Sequence, residues 1–293
     1  MSRILLSILY MIFLFTPGFA QSLEYHKLYS IKDDMSADEI MRIKYHNKYS
    51  LFSKDYQQKG EVYYIDPNGF TRKRIWKRMR IVLGDKGPFS YKDLVVITYP
   101  TNLKGLAVLT WTYKDPDKEQ QVWLWVPSLK KVRKISASCD DDAFLGSDFT
   151  VEEVSTRRFE DETYKLVGKK KFPGYKCKFD NKVYFKDRPC MVIEAYPKRK
   201  RWYYAKRVVW VDIETGGNIL EEYYDAKGRK IKILFRKWGF TDVDGKKYPT
   251  QFLLEAEDLK TGHRTTIVMK DTKFDQGLSE QIFTVKTLMR SRW

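Results

Sequence analysis

The sequence has few of the residues from which enzyme active sites are most often built. Histidine occurs only at His26, His46 and His263, positions that lie far apart along the 293 residues. The chain contains no Gly-x-Ser-x-Gly or His-Glu-x-x-His motif, no phosphate-binding loop and no dinucleotide glycine fingerprint. Its carboxylates are numerous but lack any spacing that points to glycoside hydrolysis. We therefore expect a protein that is not an enzyme.

Cysteine is equally scarce, with Cys139, Cys177 and Cys190. Three thiols without a nearby histidine do not favour a zinc site. Cys177 and Cys190 flank two predicted strands, so they could lie opposite each other and form a disulfide, which would leave Cys139 free. The alternative is three buried thiols that act as small apolar side chains, and spacing alone does not decide. The acidic run 140–142 lacks calcium-loop spacing, so we predict neither a metal nor a cofactor.

No apolar run is long enough to cross a membrane. The N-terminal run Ile4–Phe15 has twelve residues, whereas a bilayer core of about 30 Å needs about 20. It follows the basic residue Arg3 and precedes Gly18 and Ala20, small residues of the kind that a signal peptidase reads. These features predict a secretory signal peptide that is cleaved after Ala20. The mature chain, residues 21–293, is then expected to be soluble and, in a two-membrane bacterium, periplasmic.

Negative charge is also in short supply. The chain has 55 Lys and Arg against 38 Asp and Glu, a formal net charge of +17. Lys165–Lys237 alone holds 21 basic against eight acidic residues and includes the run Lys198, Arg199, Lys200 and Arg201. Such a surface favours anionic partners, which in an exported protein are lipid headgroups, lipopolysaccharide or an acidic protein rather than nucleic acid. The alternative is a solvated basic surface that keeps the protein soluble.

Aromatic residues, in contrast, are abundant: the chain has 20 Tyr, 17 Phe and 8 Trp. From about Glu61 onward, runs rich in Val, Ile, Tyr and Trp alternate with turns such as Asp66–Gly69, at the spacing typical of antiparallel strands. We predict about 11–12 strands in a single domain. Before them, Ser36 and Glu39 form a capping-box sequence for a helix that ends near Ser50.

Several predicted strands are apolar on both faces. Val122–Val126 and Trp202–Ile213, the longest predicted strand, show this pattern, so neither face of either should lie fully in water. The strand Arg229–Phe235 instead alternates. One side is predicted to carry Ile231, Ile233 and Phe235, and the other mostly Lys230, Lys232 and Arg236. The tail Leu278–Leu288 is predicted to form a final turn or short strand.

The order of segments resembles the LolA-like family of outer-membrane lipoprotein-sorting proteins. The resemblance is carried by the signal peptide, the helix at 36–50, and the central sequences Leu103–Trp111, Val122–Pro127 with Val132–Ile135, and Phe144–Thr150. It implies a mainly β (α+β) fold: a single open, incomplete antiparallel β-barrel with covering helices around an apolar cavity. It also implies a non-enzymatic carrier or chaperone that moves a lipid or acylated lipoprotein toward the outer membrane. Members of this longer subgroup are associated with transporters of the resistance-nodulation-division class.

Two functions follow from this interpretation. A carrier predicts a cavity lined by Trp111, Trp123, Trp125, Val208 and Trp210, with Phe144 and Phe149 near its mouth; a register error of one residue would reverse these faces. The alternative is a non-enzymatic accessory module that docks on such a transporter, or on an anionic membrane face, through its basic half. That module predicts a filled core and salt-sensitive binding. The excess of aromatic residues favours the carrier.

Overall fold

The computed structural model describes residues 23–135 and 141–290. Its strands are β1 Asp55–Ile65, β2 Thr71–Val82, β3 Phe89–Tyr99, β4 Ala107–Tyr113, β5 Gln121–Val126, β6 Lys131–Ile135, β7 Glu162–Lys171, β8 Tyr175–Lys176, β9 Val183–Tyr184, β10 Pro189–Pro197, β11 Lys206–Asp212, β12 Asn218–Tyr224, β13 Lys230–Val243, β14 Lys246–Asp258 and β15 Arg264–Phe274. The helices are α1 Ala37–Lys48 and α2 Val285–Arg290. The predicted signal peptide, its cleavage site and Cys139 lie outside the described residues.

Helix α1 begins where the sequence predicts. The Glu39 backbone N–H donates to Ser36 Oγ at 3.3 Å, and the Ser36 backbone N–H donates to the Glu39 carboxylate at 2.8 Å. This reciprocal pair satisfies two N–H groups that have no partner within the helix. The apolar residues Ile40, Met41 and Ile43 are buried in a cluster with inward residues of β10 and β11. The helix therefore closes one part of the interior, as predicted.

Thirteen strands form one antiparallel sheet in the order β6-β5-β4-β3-β2-β1-β15-β14-β13-β12-β11-β10-β7. Strands β1–β6 form one series of hairpins and β10–β15 another, and the pairing of β1 with β15 joins the two series. The sheet ends at β6 and β7 and is not closed into a barrel. The predicted open antiparallel architecture is confirmed. The fifteen strands of the described residues exceed the predicted number of about 11–12. The difference arises in the lysine-rich stretch before β10, which contains β7 and a separate ribbon, β8–β9.

Both faces of the sheet are covered, which explains the strands that are apolar on both sides. On β3, Val95 and Ile97 face the interior, and we call this the inner face. Leu94 and Val96 lie on the outer face, where they are buried against Phe283 and Leu288 of the C-terminal segment. That segment forms a 3-10 turn and α2, not the predicted turn or short strand, because its apolar residues recur at helical spacing.

Residues 172–188, which we call the outer ribbon, cover the outer face on the other half of the sheet. The Tyr175 ring stacks on Phe235 of β13 with 4.4 Å between ring centroids. The fully buried Glu255 carboxylate accepts hydrogen bonds from Tyr175 OH at 2.8 Å and from the backbone N–H groups of Lys178 and Phe179 at 3.0 Å each. A single buried carboxylate thus holds the outer ribbon against the sheet.

The longest strand is β13, not the predicted Trp202–Ile213. Strand β11 begins at Lys206, because the residues before it leave the backbone hydrogen-bond ladder and turn their aromatic side chains inward. Tyr203 OH donates to Glu152 at 2.7 Å and Trp202 Nε1 donates to the same carboxylate at 3.3 Å.

Within the described residues, the helices fall short of the length and apolar character that a membrane crossing requires.

Candidate functional site

A cavity lies between the inner face of the sheet and residues 144–157, which we call the internal segment. The internal segment crosses the barrel and is fixed on both sides. Arg74 Nη1 donates to the Leu145 carbonyl at 2.8 Å, and Lys232 Nζ is 2.6 Å from the Glu153 carboxylate. The cavity volume is about 100 Å³, and the cavity is partly open to solvent. The cavity is therefore narrow.

Most of the cavity wall is apolar. The central strands of the sheet and the internal segment supply Val62, Tyr64, Ile97, Leu145, Leu254, Ile267 and Met269. These residues belong to two adjacent hydrophobic clusters that meet at Ile267 and Met269. Binding sites for small molecules are typically lined in this way, with a few polar groups at defined positions.

Two tryptophans of the wall occupy space that glycines leave free. Trp76 of β2 lies opposite Gly60 of β1, and Trp238 of β13 lies over Gly217. A Cβ atom at Gly60 would come within 2.4 Å of the Trp76 ring, and one at Gly217 within 2.3 Å of the Trp238 ring. Any side chain at either glycine would force the indole out of its position. Glycine is therefore required at both positions, because the indole ring lies too close to the backbone for a Cβ atom.

One side of the cavity is polar and predominantly basic. Lys48 at the end of α1, Arg78 of β2 and Arg236 of β13 contribute to the lining, and Glu153 is the acidic residue among the lining residues. Lys48 Nζ donates to Tyr49 OH at 3.0 Å. Burial lowers the pKa of Lys48 well below its ordinary value, and the nearby charges of Lys44, Arg157 and Arg236 lower it further. Positive charge is concentrated here in a poorly solvated place.

Besides Arg236 Nη1, which is ion-paired with Glu221, two buried polar atoms of the lining have no hydrogen-bond partner in the part of the chain that the structure describes. They are Asn47 Oδ1, on α1, and Trp76 Nε1, on β2. Both side chains are more than nine-tenths buried. A buried polar atom without a partner costs free energy, so a bound molecule with polar groups would find both a donor and an acceptor in this wall.

The polar side of the cavity continues into a buried ionic cluster around Glu221. The Glu221 carboxylate lies 2.8 Å from Arg207 Nη1, 3.1 Å from Arg236 Nη1, 3.6 Å from Lys44 Nζ and 3.7 Å from Arg157 Nη1. Burial alone would raise the pKa of Glu221, but the charges of Arg236 and Arg207 outweigh it and hold the pKa well below its ordinary value. The carboxylate is therefore ionised and bound by four cations.

Basic groups outnumber acidic ones in this part of the interior. The basic side chains are Lys44, Lys48, Arg157, Arg207, Lys232 and Arg236, and the acidic ones are Glu152, Glu153, Glu162 and Glu221. Glu162 is bound bidentately by Arg207, with 2.6 Å from Nε and 2.5 Å from Nη2. The surplus of two equals the number of lysines, Lys44 and Lys48, whose pKa values burial lowers well below the ordinary value. A bound anion would favour their charged forms, so this region is suited to an anion.

The structure places one of the seven predicted cavity residues, Phe144, in the lining. Phe149 is buried beside it on the internal segment, against Tyr204 and Tyr223. The remaining five lie on the outer face.

On the outer face, Trp111, Trp123 and Trp125 pack against the C-terminal segment, where Trp111 Nε1 donates to the Phe283 carbonyl at 2.9 Å. Trp210 packs against Phe172 with 5.2 Å between ring centroids, and Val208 is two residues away on the same face of β11. The predicted assignment of faces is reversed, because the widest apolar residues cover the outside of this sheet.

The basic residues of the interior are the part of the site that the sequence analysis missed. On β13, Phe235 packs against the outer ribbon while Lys232 and Arg236 point inward. At the start of the strand, where the pairing with β12 shifts register, the predicted separation is wrong: Lys230 pairs with Glu222 on the outer face and Ile231 packs in the interior cluster. The alternation along the strand separates two sides but does not say which of them faces inward. The aromatic outer ribbon, whose rings need a surface to cover, was the signal that could have identified the outer side.

Cys177 and Cys190 are free, fully buried thiols and do not form the disulfide that the sequence allowed. Both belong to one hydrophobic cluster with Phe172 and Phe235. Burial raises the pKa of each thiol to about 12. They pack as small apolar side chains, which was the alternative interpretation.

The basic run Lys198, Arg199, Lys200 and Arg201 lies in the connection between β10 and β11, and all four side chains are exposed. The Arg199 guanidinium lies over the Trp202 ring, 4.2 Å from its centroid. The run is therefore available at the surface and does not contribute to the cavity.

Comparisons with known proteins agree with this architecture. A family model described as "Uncharacterized protein" matches residues 90–290. Among solved structures, a domain described as that of an outer membrane lipoprotein-sorting protein from Vibrio parahaemolyticus superposes with a TM-score of 0.71 at 23% identity, over 87% of this chain and 98% of that one. A DUF1329 family protein from Desulfovibrio piger gives a TM-score of 0.71 at 23% identity, over 86% and 99% of the two chains.

A LolA superfamily protein from Nitrosomonas europaea gives a TM-score of 0.59 at 19% identity, over 86% of this chain and 99% of that one. A comparison with curated protein sequences finds no match. The family model covers more than half of the chain, and the superpositions cover nearly the whole of each solved structure. The chain therefore belongs to the family whose model matches residues 90–290, and it has the fold of the LolA superfamily.

Proposed function

We propose that the chain is a carrier that binds an acyl chain, from a lipid or an acylated protein, in the cavity and moves it toward the outer membrane. The observation that carries this proposal is the narrow apolar cavity between the inner face and the internal segment. The lipoprotein-sorting description of the Vibrio parahaemolyticus domain supports the same class of cargo. The signal peptide that the sequence predicts supports transport through the periplasm.

The shape of the cavity favours a single acyl chain. Ligand sites commonly enclose about 300–1,000 Å³, and the cavity here, at about 100 Å³, is smaller. A flexible acyl chain would enter it as side chains of the wall, such as Met269 and Leu145, change rotamer to make room. We propose binding without chemistry, since the buried glutamates beside the cavity are engaged by Arg and Lys.

The polar side of the cavity favours an acyl compound with an anionic head. Lys48 and Arg236 border the space in which a carboxylate or phosphate would sit, and Asn47 Oδ1 and Trp76 Nε1 offer further polar contacts. Bringing an anion to this place compensates the excess basic charge and relieves the repulsion that lowers the pKa of Lys48. A cationic head would meet the same charges with the opposite result.

The alternative, a non-enzymatic accessory module, predicts a filled core. The cavity favours the carrier over that alternative. A partner of the transporter class named above stays a prediction, because its support is the sequence resemblance alone.

The test combines native mass spectrometry, with extraction of bound lipid, and a cavity-filling variant. In Met269→Trp the indole extends into the cavity, whereas Met289→Trp makes the same substitution at an exposed position on α2. We expect the parent chain and Met289→Trp to carry an acylated molecule and to bind a fatty acid. Met269→Trp, if its thermal unfolding is still cooperative, should lose at least about tenfold in affinity because the ligand loses its space.

A ligand series then tests the head group. At equal chain length, a fatty acid should bind more tightly than the fatty alcohol, and an alkyl trimethylammonium more weakly than both. Absence of any bound or added acyl compound in the folded parent chain would refute the carrier. Equal affinity for the acid and the alcohol would refute the anionic head while leaving the acyl site in place.

A further inference from the structure

The antiparallel order of the sheet sorts the hairpin connections onto two opposite rims of the barrel. Consecutive strands reverse direction, and β1 runs antiparallel to β15, so the end to which each connection belongs follows from topology. One rim is formed by residues 66–70, 100–106, 127–130, 198–205, 225–229 and 259–263. The other is formed by residues 83–88, 114–120, 213–217 and 244–245. We call them the basic rim and the acidic rim.

The two rims have opposite charge. The basic rim carries nine Lys and Arg against two Asp, whereas the acidic rim carries three Lys against six Asp and Glu. The formal charges are +7 and −3. Residues 172–188 also leave and re-enter the sheet at the acidic rim, but they fold over its outer face, and their charge of +3 is not included in this count. The predicted basic run at Lys198–Arg201 supplies four of the nine, and the other five come from four different connections. The basic surface is therefore a property of one end of the barrel and not of a single loop.

Five of the eleven exposed large apolar side chains of the described residues lie on or beside the same end. Phe70, next to the start of β2, is 66% exposed, Leu129, between β5 and β6, is 52% exposed, and Leu259 is also exposed. Tyr99 and Tyr196, at or next to the ends of β3 and β10, add two exposed rings beside this rim. None of the acidic-rim residues is among the exposed large apolar side chains of the described chain. Because these side chains are largely exposed, burial within the described structure does not explain their apolar character.

We infer that the basic rim is a docking surface for an anionic lipid bilayer. Lys and Arg attract anionic headgroups over the range of a Debye length, and aromatic and aliphatic tips on separate loops can enter the interface between headgroups and acyl chains. A folded protein partner would favour one contiguous apolar patch. Here the exposed apolar side chains are spread over three connections and separated by basic residues. A lipid bilayer can fit this arrangement, because its anionic headgroups move sideways to meet basic groups wherever they lie.

This inference uses residues that the cavity does not use, so it stands or falls independently of the proposed cargo. The cavity lining and the rim connections have no residue in common. A docked basic rim would turn this end of the barrel toward the bilayer and the acidic rim away from it. The orientation is set by the opposite charge of the two ends.

The test is sedimentation with vesicles of pure phosphatidylcholine and of an equal mixture of phosphatidylcholine and phosphatidylglycerol. We expect binding to the anionic vesicles alone, weakened by added salt. The rim variant changes four exposed lysines to Gln at Lys104, Lys130, Lys227 and Lys260; the matched control changes Lys86, Lys170, Lys171 and Lys176 to Gln, all exposed and outside the basic rim. Both variants lose the same net charge.

Each Lys near an anionic surface changes partitioning by up to about fivefold. We therefore expect the rim variant to lose more than about tenfold in vesicle binding, allowing for screening, and the control to lose far less. A second variant, Phe70→Ser with Leu129→Ser, should weaken binding while leaving its salt dependence unchanged. The variant Met269→Trp should bind vesicles like the parent, which separates docking from cavity occupancy. Equal losses in the rim variant and its control, or no binding to anionic vesicles, would overturn the inference.

Discussion

The Glu221 carboxylate is the centre of the buried ionic cluster, and its removal tests whether that cluster holds the barrel together. Glu221→Gln keeps the size of the side chain and removes one negative charge. Four cations then lose the acid around which they are arranged: Arg207, Arg236, Lys44 and Arg157, all at 2.8–3.7 Å. Because all of these groups are almost fully buried, water cannot take the place of the lost charge.

The expected cost is large. Breaking a buried ion pair by removing one partner typically destabilises a protein by about 3–5 kcal/mol. Here Tyr223 OH also loses an ionised acceptor at 2.7 Å, which adds to the cost rather than reducing it. We therefore expect Glu221→Gln to lower the free energy of unfolding by about 4 kcal/mol.

The neighbouring residue provides a matched control. Glu222 is next in the same strand but points to the other face, where it pairs with Lys230, whose side chain is 37% exposed. A pair of this kind contributes about 0–1 kcal/mol, so Glu222→Gln should cost little. Urea unfolding followed by tryptophan fluorescence measures both variants. If Glu221→Gln lies within about 1 kcal/mol of Glu222→Gln, the buried cluster does not stabilise the fold and the reasoning is wrong.

Two further predictions concern pH and the outer ribbon. Burial lowers the pKa of His46 from 6.5 to about 4, so below pH 6.5 the unfolded chain binds a proton that the folded chain does not. As the pH falls from 6.5 to 4, the free energy of unfolding should therefore decrease by about 3 kcal/mol in the parent chain and in the control His263→Gln, whose histidine is exposed. In His46→Gln it should decrease much less. If the free energy of unfolding depends on pH in the same way in all three proteins, His46 is not the cause. Glu255→Gln should lower the free energy of unfolding by about 1–3 kcal/mol and speed trypsin cleavage at Lys176 and Lys178. Glu257→Gln, which loses an ion pair with the half-exposed Lys178, should do neither. Equal cleavage rates in the two variants would show that Glu255 does not hold the outer ribbon.

The architecture could be predicted because it rests on local patterns. The capping box at Ser36 and Glu39 fixes the start of α1, and turn sequences such as Asp66–Gly69 fix the hairpins of an antiparallel sheet. The resemblance in segment order supplied the open barrel. These signals depend on neighbouring residues, so they survive without knowledge of the rest of the chain.

The cavity lining could not be predicted from the same patterns. Alternation along a strand separates its two sides but does not say which side faces inward. Trp123 and Trp125 were assigned to the interior because wide apolar residues usually lie there, yet the C-terminal segment covers them on the outer face. Arg236 was assigned to a side of its strand without a direction, and it lies inside because Glu221, on the adjacent strand, compensates its charge. Both outcomes depend on contacts between distant parts of the sequence.

The pairing of β1 with β15 has a consequence for how the chain folds. Every other pairing that involves β1–β6 joins consecutive hairpin strands, so that half can form from local contacts soon after it is synthesised. Strand β1 then keeps an unpaired backbone edge, open to association with other chains, until the last strand of the protein is available. The closing step brings together residues at nearly the greatest separation in the sheet, where the entropy loss of loop closure is largest. The sheet is thus completed at its centre and not at its margin, and loss of the final strand would divide it into two halves.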